Sequence, residues 1–186
     1  MKNFKLIALL FISSIIITSC SDDDPDHIHE EEVITTMKVV LTPTTGSAIT
    51  LESKDLDGDG SDAPVITGGT LTPNTTYSAV ITLLNETENP VDNITNEVAA
   101  EAEEHQFFYK ATTIASTFTY SDNDVNDNPI GINFTVETAA SGTGSYTITL
   151  KHEPNKSGVN VKQGDITNAG GETDIEVVFP ITISGR

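Results

Sequence analysis

The chain has 186 residues, of which 28 are acidic and nine are Lys or Arg, so its formal net charge is −19. This charge repels the phosphates of nucleic acids and anionic lipid headgroups, and it therefore excludes a nucleic-acid-binding protein. The length suits one domain with its own core, and the composition, rich in Thr, Val and Ile and without Trp, favours β structure.

Residues 1–19 have the pattern of a secretory signal peptide. Lys2 and Lys5 precede an apolar run over residues 6–17, which is too short to span a bilayer as a permanent helix, and small residues lead to Cys20. This pattern resembles the lipobox of bacterial lipoproteins. The resemblance implies that residues 1–19 are removed and that Cys20 carries the lipid. A multiply acylated cysteine anchors stably, and since the chain has no other cysteine it can form no internal disulfide.

The segment 20–32 is acidic and almost free of apolar residues, which predicts the lipidated cysteine followed by a disordered tether. The start of this tether resembles the export tag that sends lipoproteins of the Bacteroidota type to the cell surface, and the residues that carry the resemblance are Ser21, Asp22, Asp23 and Asp24. The resemblance implies a surface-exposed lipoprotein of the outer membrane. A lipoprotein that faces the periplasm, with a tether that is simply acidic, is the alternative.

The tether also contains two histidines, His27 and His29, followed by three glutamates. Imidazoles two residues apart in an extended chain project to one side, and carboxylates lie close by, so these residues are a candidate site for Zn²⁺ or Cu²⁺. Two histidines do not complete a tetrahedral site. We therefore expect weak binding, or binding completed by a partner, and a merely polar spacer is the alternative.

Residues 33–186 are predicted to form a single domain of short strands separated by turn residues. Alternation of apolar and polar side chains is clear over residues 145–152 and 174–183, as expected for strands with one buried face. A ninth strand is possible at 64–67. The eight predicted strands are 33–42, 48–53, 77–85, 106–111, 115–120, 132–138, 145–152 and 174–183.

One helix is expected over residues 94–104, where Ile94, Val98 and Ala102 recur at helical spacing. Such a helix would cap the sandwich or cross between its sheets. The predicted fold class is all-β: an Ig-like or Greek-key antiparallel β-sandwich of about eight or nine strands with one short helix.

Leu71, Pro73 and Tyr77 lie in a segment that resembles the L-x-P-x-T-x-Y turn of fibronectin type III domains. In that turn a tyrosine hydroxyl bonds back to the backbone of the corner and fixes a Greek-key crossing. The resemblance covers seven residues and implies an Ig-like corner in which Tyr77 is structural.

The segment Asp55-Leu56-Asp57-Gly58-Asp59-Gly60-Ser61-Asp62 is a candidate Ca²⁺ loop, because its carboxylates alternate and a glycine allows a sharp turn. The candidate ligands are Asp55, Asp57, Asp59 and Asp62. The match to an EF-hand is incomplete, since Ile66 occupies the twelfth position and β-runs flank the loop. A solvated hairpin tip is the alternative.

A second oxygen-rich loop presents Asp122, Asp124, Asn126 and Asn128 at alternate positions. The sixth position holds Asp127 instead of glycine, which weakens the case for Ca²⁺. A turn built from Asn and Asp, residues that tolerate left-handed backbone, explains this loop better.

His105 and His152 each lie at the edge of a predicted strand, beside acidic residues. Either could join a site assembled by the fold, but the sequence does not bring them together. The chain contains no G-x-S-x-G, no H-E-x-x-H and no phosphate-binding G-x-x-x-x-G-K. We therefore expect no enzyme.

Three segments resemble small surface lipoproteins of Bacteroidota-type bacteria, a family of undefined activity often labelled "type 1 periplasmic binding fold superfamily protein": 31–36, 104–109 and 165–175. The resemblance implies a lipoprotein and no particular ligand. A type 1 periplasmic binding fold has two α/β lobes, whereas the residues of this chain predict a single β-domain.

These features predict a lipid-anchored, noncatalytic binding or accessory module, stabilised by Ca²⁺ and associated with an outer-membrane importer. One alternative is a lipoprotein that captures Zn²⁺ or Cu²⁺ through His27 and His29. A second is a hydrolase with a site built from loops. The ligand, the strand order and the oligomeric state do not follow from the sequence.

Overall fold

A computed structural model describes residues 32–58 and 60–185. These residues form ten strands in two sheets, with one α-helix, which confirms the predicted all-β sandwich. Two short 3-10 turns, Val161–Gln163 and Ile166–Asn168, interrupt the loop before the last strand. The strands are β1 Thr36–Pro43, β2 Ile49–Lys54, β3 Val65–Thr67, β4 Gly69–Leu71, β5 Thr76–Leu84, β6 His105–Thr112, β7 Ser116–Tyr120, β8 Asn133–Thr138, β9 Gly142–His152 and β10 Glu172–Ile183.

The larger sheet has six strands in the order β3-β2-β1-β5-β8-β7, and each pair in it is antiparallel. The alternation of β5 shows why it pairs in this way. Its buried residues are separated by more exposed ones, so one face meets the core and the other meets solvent. The buried residues of β5 are Tyr77, Ala79, Ile81 and Leu83.

The smaller sheet has the order β4-β10-β9-β6, with β4 parallel to β10 and the other pairs antiparallel. β4 is absent from the sequence-based prediction because it has three residues, too few for an alternating pattern. The chain changes sheets at Gly68, between β3 and β4. A Cβ atom there would lie 2.0 Å from the carbonyl oxygen of Pro180, so only glycine permits this approach.

The core lies between the two sheets and is rich in large apolar side chains. Phe107, Tyr146 and Phe179 reach it from the smaller sheet, and Phe134 reaches it from the larger one. The rings of Tyr109 and Phe134 stack with centroids 4.2 Å apart, which joins the sheets directly.

The helix α1 spans Ile94–Ala100 and is shorter than the predicted 94–104. Asn93 caps its start, since its side chain accepts a hydrogen bond from Thr95 N–H. The residues after Ala100 include three glutamates and the last turn has no basic residue, an unfavourable charge for a helix C-terminus. The helix connects β5 of the larger sheet to β6 of the smaller one, and a crossing between the sheets is one of the two placements that the sequence predicts. In the described part of the chain no helix is long and apolar enough to cross a membrane.

The corner before β5 contains the tyrosine hydrogen bond that its sequence suggested. Thr72 N–H donates to Tyr77 Oη at 2.7 Å, and Leu71 is buried beside it. Thr138 Oγ1 donates to the Thr72 carbonyl at 2.7 Å and ties β8 to the same corner. These bonds fix the entry into β5.

The domain enters β1 later than predicted, at Thr36 instead of residue 33. Residues 32–35 run ahead of the strand, and Thr35 is their attachment to the sheet. Thr35 N–H donates to the Leu84 carbonyl at 2.9 Å, and Glu86 N–H donates to Thr35 Oγ1 at 2.8 Å. This segment carries Glu32, assigned to the tether on sequence, to the end of the smaller sheet, where it lies near His105.

Candidate metal centre

Two histidines meet across neighbouring strands of the smaller sheet. His105 begins β6 and His152 ends β9, and the two residues are directly paired in the antiparallel register. Their rings stack with centroids 4.7 Å apart and planes 18° apart. The two residues are 47 positions apart in the sequence, so only the pairing of β6 with β9 brings them together.

His105 is completely buried, and its hydrogen bond determines which nitrogen carries the proton. Nδ1 lies 3.1 Å from the carbonyl oxygen of Glu101, just after α1. A carbonyl oxygen only accepts, so Nδ1 must be the donor. Burial lowers the pKa of His105, although the same hydrogen bond opposes the shift, and the ring is therefore neutral at pH 7. The other nitrogen, Nε2, carries no proton and presents its lone pair inside the protein.

That lone pair faces two carboxylates. Glu32 Oε1 lies 3.6 Å and Asp174 Oδ2 lies 3.9 Å from His105 Nε2, and both side chains are about nine-tenths buried. No hydrogen-bond donor among the described residues reaches His105 Nε2 or Glu32 Oε2. Three electron-rich groups thus converge on one buried point, which is the arrangement that a cation stabilises.

Asp174 reaches this point because β10 contains a bulge. Thr173 pairs with Lys151 and Ile175 with Leu150, so Asp174 has no opposite residue in β9. Bulges redirect side chains and are common beside functional sites. The two carboxylate oxygens of Asp174 lie near different imidazoles, Oδ2 near His105 Nε2 and Oδ1 4.0 Å from His152 Nδ1.

The charges around Glu32 are unfavourable without a cation. Burial, followed by repulsion from Asp174, raises the pKa of the Glu32 carboxyl to about 7. Glu97 and Glu101 contribute further repulsion, while His152 opposes it. The cluster therefore holds acidic groups closer together than their charges alone favour.

The ligand atoms of Glu32, His105 and Asp174 lie within 4.8 Å of one another. A second set, Glu104, His152 and Glu153, meets the same limit and is more exposed, with His152 Nε2 lying 3.8 Å from Glu104 Oε2. Tetrahedral ligands about 2.0–2.1 Å from Zn²⁺ are about 3.4 Å apart. The two carboxylate oxygens, at 3.6 and 3.9 Å from His105 Nε2, are close to this spacing, and all three ligand atoms lie within 4.8 Å of one another, so the buried set fits a small divalent ion after contraction.

The second oxygen-rich loop holds a protein cation in place of a metal ion. Lys156 Nζ lies 3.1 Å from Asp124 Oδ2, and both side chains are almost fully buried. Asp124 also accepts hydrogen bonds from the backbone N–H groups of Asn126 and Asn128, and its pKa is lowered because these bonds and Lys156 together outweigh burial. Asp127 has a φ of +58°, the left-handed backbone that the turn interpretation requires.

Asp122 in the same loop is bound by protein donors as well. Its Oδ1 accepts from Gly131 N–H and its Oδ2 from Asn133 N–H, each at 2.7 Å. The structure thus uses both aspartates of this weak calcium candidate to close the turn between β7 and β8.

The first candidate calcium loop lies between β2 and β3. Asp62 N–H donates to Asp57 Oδ2 at 3.2 Å, a hydrogen bond within the turn. Among the residues that the structure describes, Asp55, Asp57 and Asp62 do not join either set of converging ligand atoms. Asp59 lies outside the described residues, so calcium binding by this loop stays a prediction.

The remaining predicted site residues also lie outside the described ranges. They are the lipidation site Cys20, the export tag Ser21 to Asp24, and the tether histidines His27 and His29.

Comparison with known proteins gives no relative from which a function can be transferred. No family model matches the chain, and neither the curated proteins nor the solved structures contain a significant match. The function must therefore be argued from the site itself.

Proposed function

We propose that this protein is a noncatalytic, lipid-anchored binding module whose ligand is a divalent transition-metal ion held by Glu32, His105 and Asp174. The observation that carries the proposal is the buried Nε2 lone pair of His105, which faces two carboxylates and has no hydrogen-bond partner among the described residues. Buried polar groups are rarely left in this state, and a metal ion satisfies all three at once.

The ligand set favours Zn²⁺ or Cu²⁺ over Ca²⁺. An imidazole nitrogen with carboxylate oxygens is typical of zinc and copper sites, whereas Ca²⁺ takes six to eight oxygens. The hydrogen bond from His105 Nδ1 to the Glu101 carbonyl adds support, because metal-ligating histidines usually donate their other N–H to such a group. This proposal keeps the metal-capture alternative but moves its ligands from the tether into the fold.

Burial supports binding over catalysis. His105 is fully buried, and Glu32 and Asp174 are each about nine-tenths buried, which leaves little room for a substrate beside the ion. Three protein ligands leave the fourth position of a tetrahedral ion to water, as in catalytic zinc sites, but the burial of this set gives a substrate little access to that position. A hydrolase is therefore the less favoured reading of the same residues.

The membrane role of the module rests on its sequence. The lipobox-like segment before Cys20 supports an outer-membrane anchor, and the acidic residues after it support display at the cell surface. The net charge of −19 attracts cations toward the domain. A module of this kind would supply its ion to an outer-membrane importer.

Calorimetric titration of the full chain in detergent with Zn²⁺, and separately with Ca²⁺, tests the proposal. We expect a Zn²⁺ site that His105→Ala abolishes and that the near-isosteric Asp174→Asn weakens by at least about tenfold. The double variant His27→Ala/His29→Ala is the matched control and should keep the site. Circular dichroism establishes that each variant folds.

Two results would overturn the proposal. One is the absence of any Zn²⁺ binding by the folded wild-type protein. The other is Zn²⁺ binding that survives His105→Ala and Asp174→Asn but disappears in the tether variant, which would return the site to His27 and His29.

A further inference from the structure

The buried ligand set joins two parts of the chain with different attachments. His105 and Asp174 belong to strands of the smaller sheet, whereas Glu32 precedes β1 and is the first residue that the structure describes. The residues before Glu32 form the acidic segment that the sequence assigns to the tether. An ion bound by all three ligands would therefore connect the end of that segment to the sheet.

Glu32 is held weakly by its own chain. The nearest firm backbone attachment is at Thr35, which bonds to Leu84 and Glu86. Between them, Val33 is 58% exposed, and Ile34 is half-buried and packs against the core. The position of the Glu32 side chain thus depends largely on its contacts with other side chains at the end of the smaller sheet.

The side chains that surround Glu32 at the end of the smaller sheet are mostly acidic. Asp174 shares the buried point with Glu32, and Glu97 and Glu101 of the neighbouring helix region add negative charge. Without a cation, this repulsion is relieved by protonation of the Glu32 carboxyl or by its withdrawal from the sheet. With a divalent ion between them, each carboxylate is attracted to the ion instead, and the preferred position of Glu32 reverses.

We propose that metal binding at the His105–Asp174 pair clamps Glu32 onto the domain and thereby controls where the tether ends. This inference rests on the proposed function, since it requires the same ion. When the ion is bound, Glu32 is docked on the sheet; when it is absent, Glu32 and Val33 are released and Ile34 is the first residue held by the core. Release of these two residues adds about 7 Å of free chain, at about 3.3–3.6 Å per extended residue.

The proposed clamp links metal occupancy to the length of free chain between the domain and the proposed lipid anchor. A ligand shifts a conformational equilibrium only by its difference in affinity for the two states, so the contribution of Glu32 to affinity sets the strength of the clamp. A longer, freer tether changes how the domain can reach a membrane partner.

Hydrogen exchange of the full chain, measured by mass spectrometry with and without saturating Zn²⁺, tests the clamp. The readout is the exchange of the Val33 and Ile34 amides, which directly follow the proposed ligand Glu32 in the chain. We expect Zn²⁺ to slow their exchange at least about tenfold in the wild type, because docked backbone exchanges more slowly than free backbone. Glu137→Gln, which removes an exposed carboxylate on β8, is the matched control and should respond as the wild type does.

Glu32→Gln separates the clamp from the site. This variant should still bind Zn²⁺ through His105 and Asp174, with affinity reduced about tenfold or more, and Zn²⁺ should no longer slow exchange at Val33 and Ile34. His105→Ala should lose both binding and protection.

The outcomes distinguish the two proposals. Zn²⁺ binding that requires His105 but leaves Val33 and Ile34 exchange unchanged, or a Glu32→Gln variant with wild-type affinity, would overturn the clamp and leave the metal site standing. Absence of Zn²⁺ binding would overturn both.

Discussion

The imidazole of His105 stacks on that of His152 across the β6–β9 pair, and Asp174 presents one carboxylate oxygen to each ring. His152 is thereby placed to hold Asp174 and His105 in the position that the proposed ion requires. This relationship depends on the register of β6 and β9 and on the bulge at Asp174, so replacing His152 should weaken metal binding.

Replacing His152 tests this positioning role. We expect His152→Ala to weaken Zn²⁺ binding about 10- to 100-fold, as loss of a group that orients a ligand typically does. His152→Phe keeps a stacked ring but no nitrogen, so it should restore stability without restoring affinity. Titration calorimetry and thermal unfolding of both variants provide the measurements. Full recovery of affinity in His152→Phe would show that the ring only fills space.

The buried pair of Lys156 and Asp124 should be a major stabilising contact of the loop before β10. Lys156 also donates to the carbonyl of Pro129 at 3.2 Å and to that of Ala102, so its ammonium connects its own loop to the segments that contain Pro129 and Ala102. We expect Asp124→Asn to lower the free energy of unfolding by about 3–5 kcal/mol, because it leaves a buried charge uncompensated. Lys156→Met/Asp124→Asn should lose less than the sum of the single variants. Urea denaturation of the wild type, the two single variants and the double variant measures this double-mutant cycle. Strictly additive losses in the free energy of unfolding would contradict the pairing.

The same pair predicts a dependence of stability on pH. Hydrogen bonds from Asn128, Lys156 and Asn126 outweigh burial, so the pKa of Asp124 in the folded state lies below its ordinary value. Its stabilising effect is therefore complete above about pH 4 and is lost as the pH falls through the lower, folded-state pKa. The stability difference between wild type and Lys156→Met/Asp124→Asn should shrink below about pH 4. Asp122 and Glu103, which also face Lys156, are present in both proteins, and a difference that stays constant down to acid pH would refute the assignment.

The corner at Tyr77 offers a test of the fold that is independent of the metal. Tyr77→Phe removes the acceptor for Thr72 N–H at a position that is 1% exposed. We expect a loss of about 0.5–1.5 kcal/mol in the free energy of unfolding, since the hydrogen bond between Thr72 N–H and a buried tyrosine is removed. Guanidinium denaturation measures it, with Tyr120→Phe as a second hydrogen-bonded tyrosine for comparison. A Tyr77→Phe variant as stable as the wild type would mean that the hydroxyl does not fix the corner.

The sequence predicts most of the fold because alternation is a local property. β5, β9 and β10 carry clear patterns of period two, and their observed bounds lie close to those expected. β4 has only three residues and forms by parallel pairing with β10, which is distant in the sequence. No local sequence pattern therefore predicts it. The early end of α1 follows from the acidic residues after Ala100, which the spacing of Ile94 and Val98 does not reveal.

The sequence predicts only part of the candidate metal centre. It marks His105 and His152 as residues that a fold could bring together, but their pairing depends on the long-range register of β6 and β9. The sequence assigns Glu32 to the tether because its neighbours are acidic, and it places Asp174 at a polar position of an alternating strand. No local pattern therefore marks Asp174, since only the bulge in β10 turns its side chain toward His105.

X-ray absorption at the zinc edge of the Zn²⁺-loaded full chain identifies the atoms that bind the ion. We expect a first shell of nitrogen and oxygen at about 2.0–2.1 Å, with imidazole scattering that disappears in His105→Ala and persists in His27→Ala/His29→Ala. An all-oxygen shell, or imidazole scattering that survives His105→Ala and is lost with the tether histidines, would contradict the proposed site.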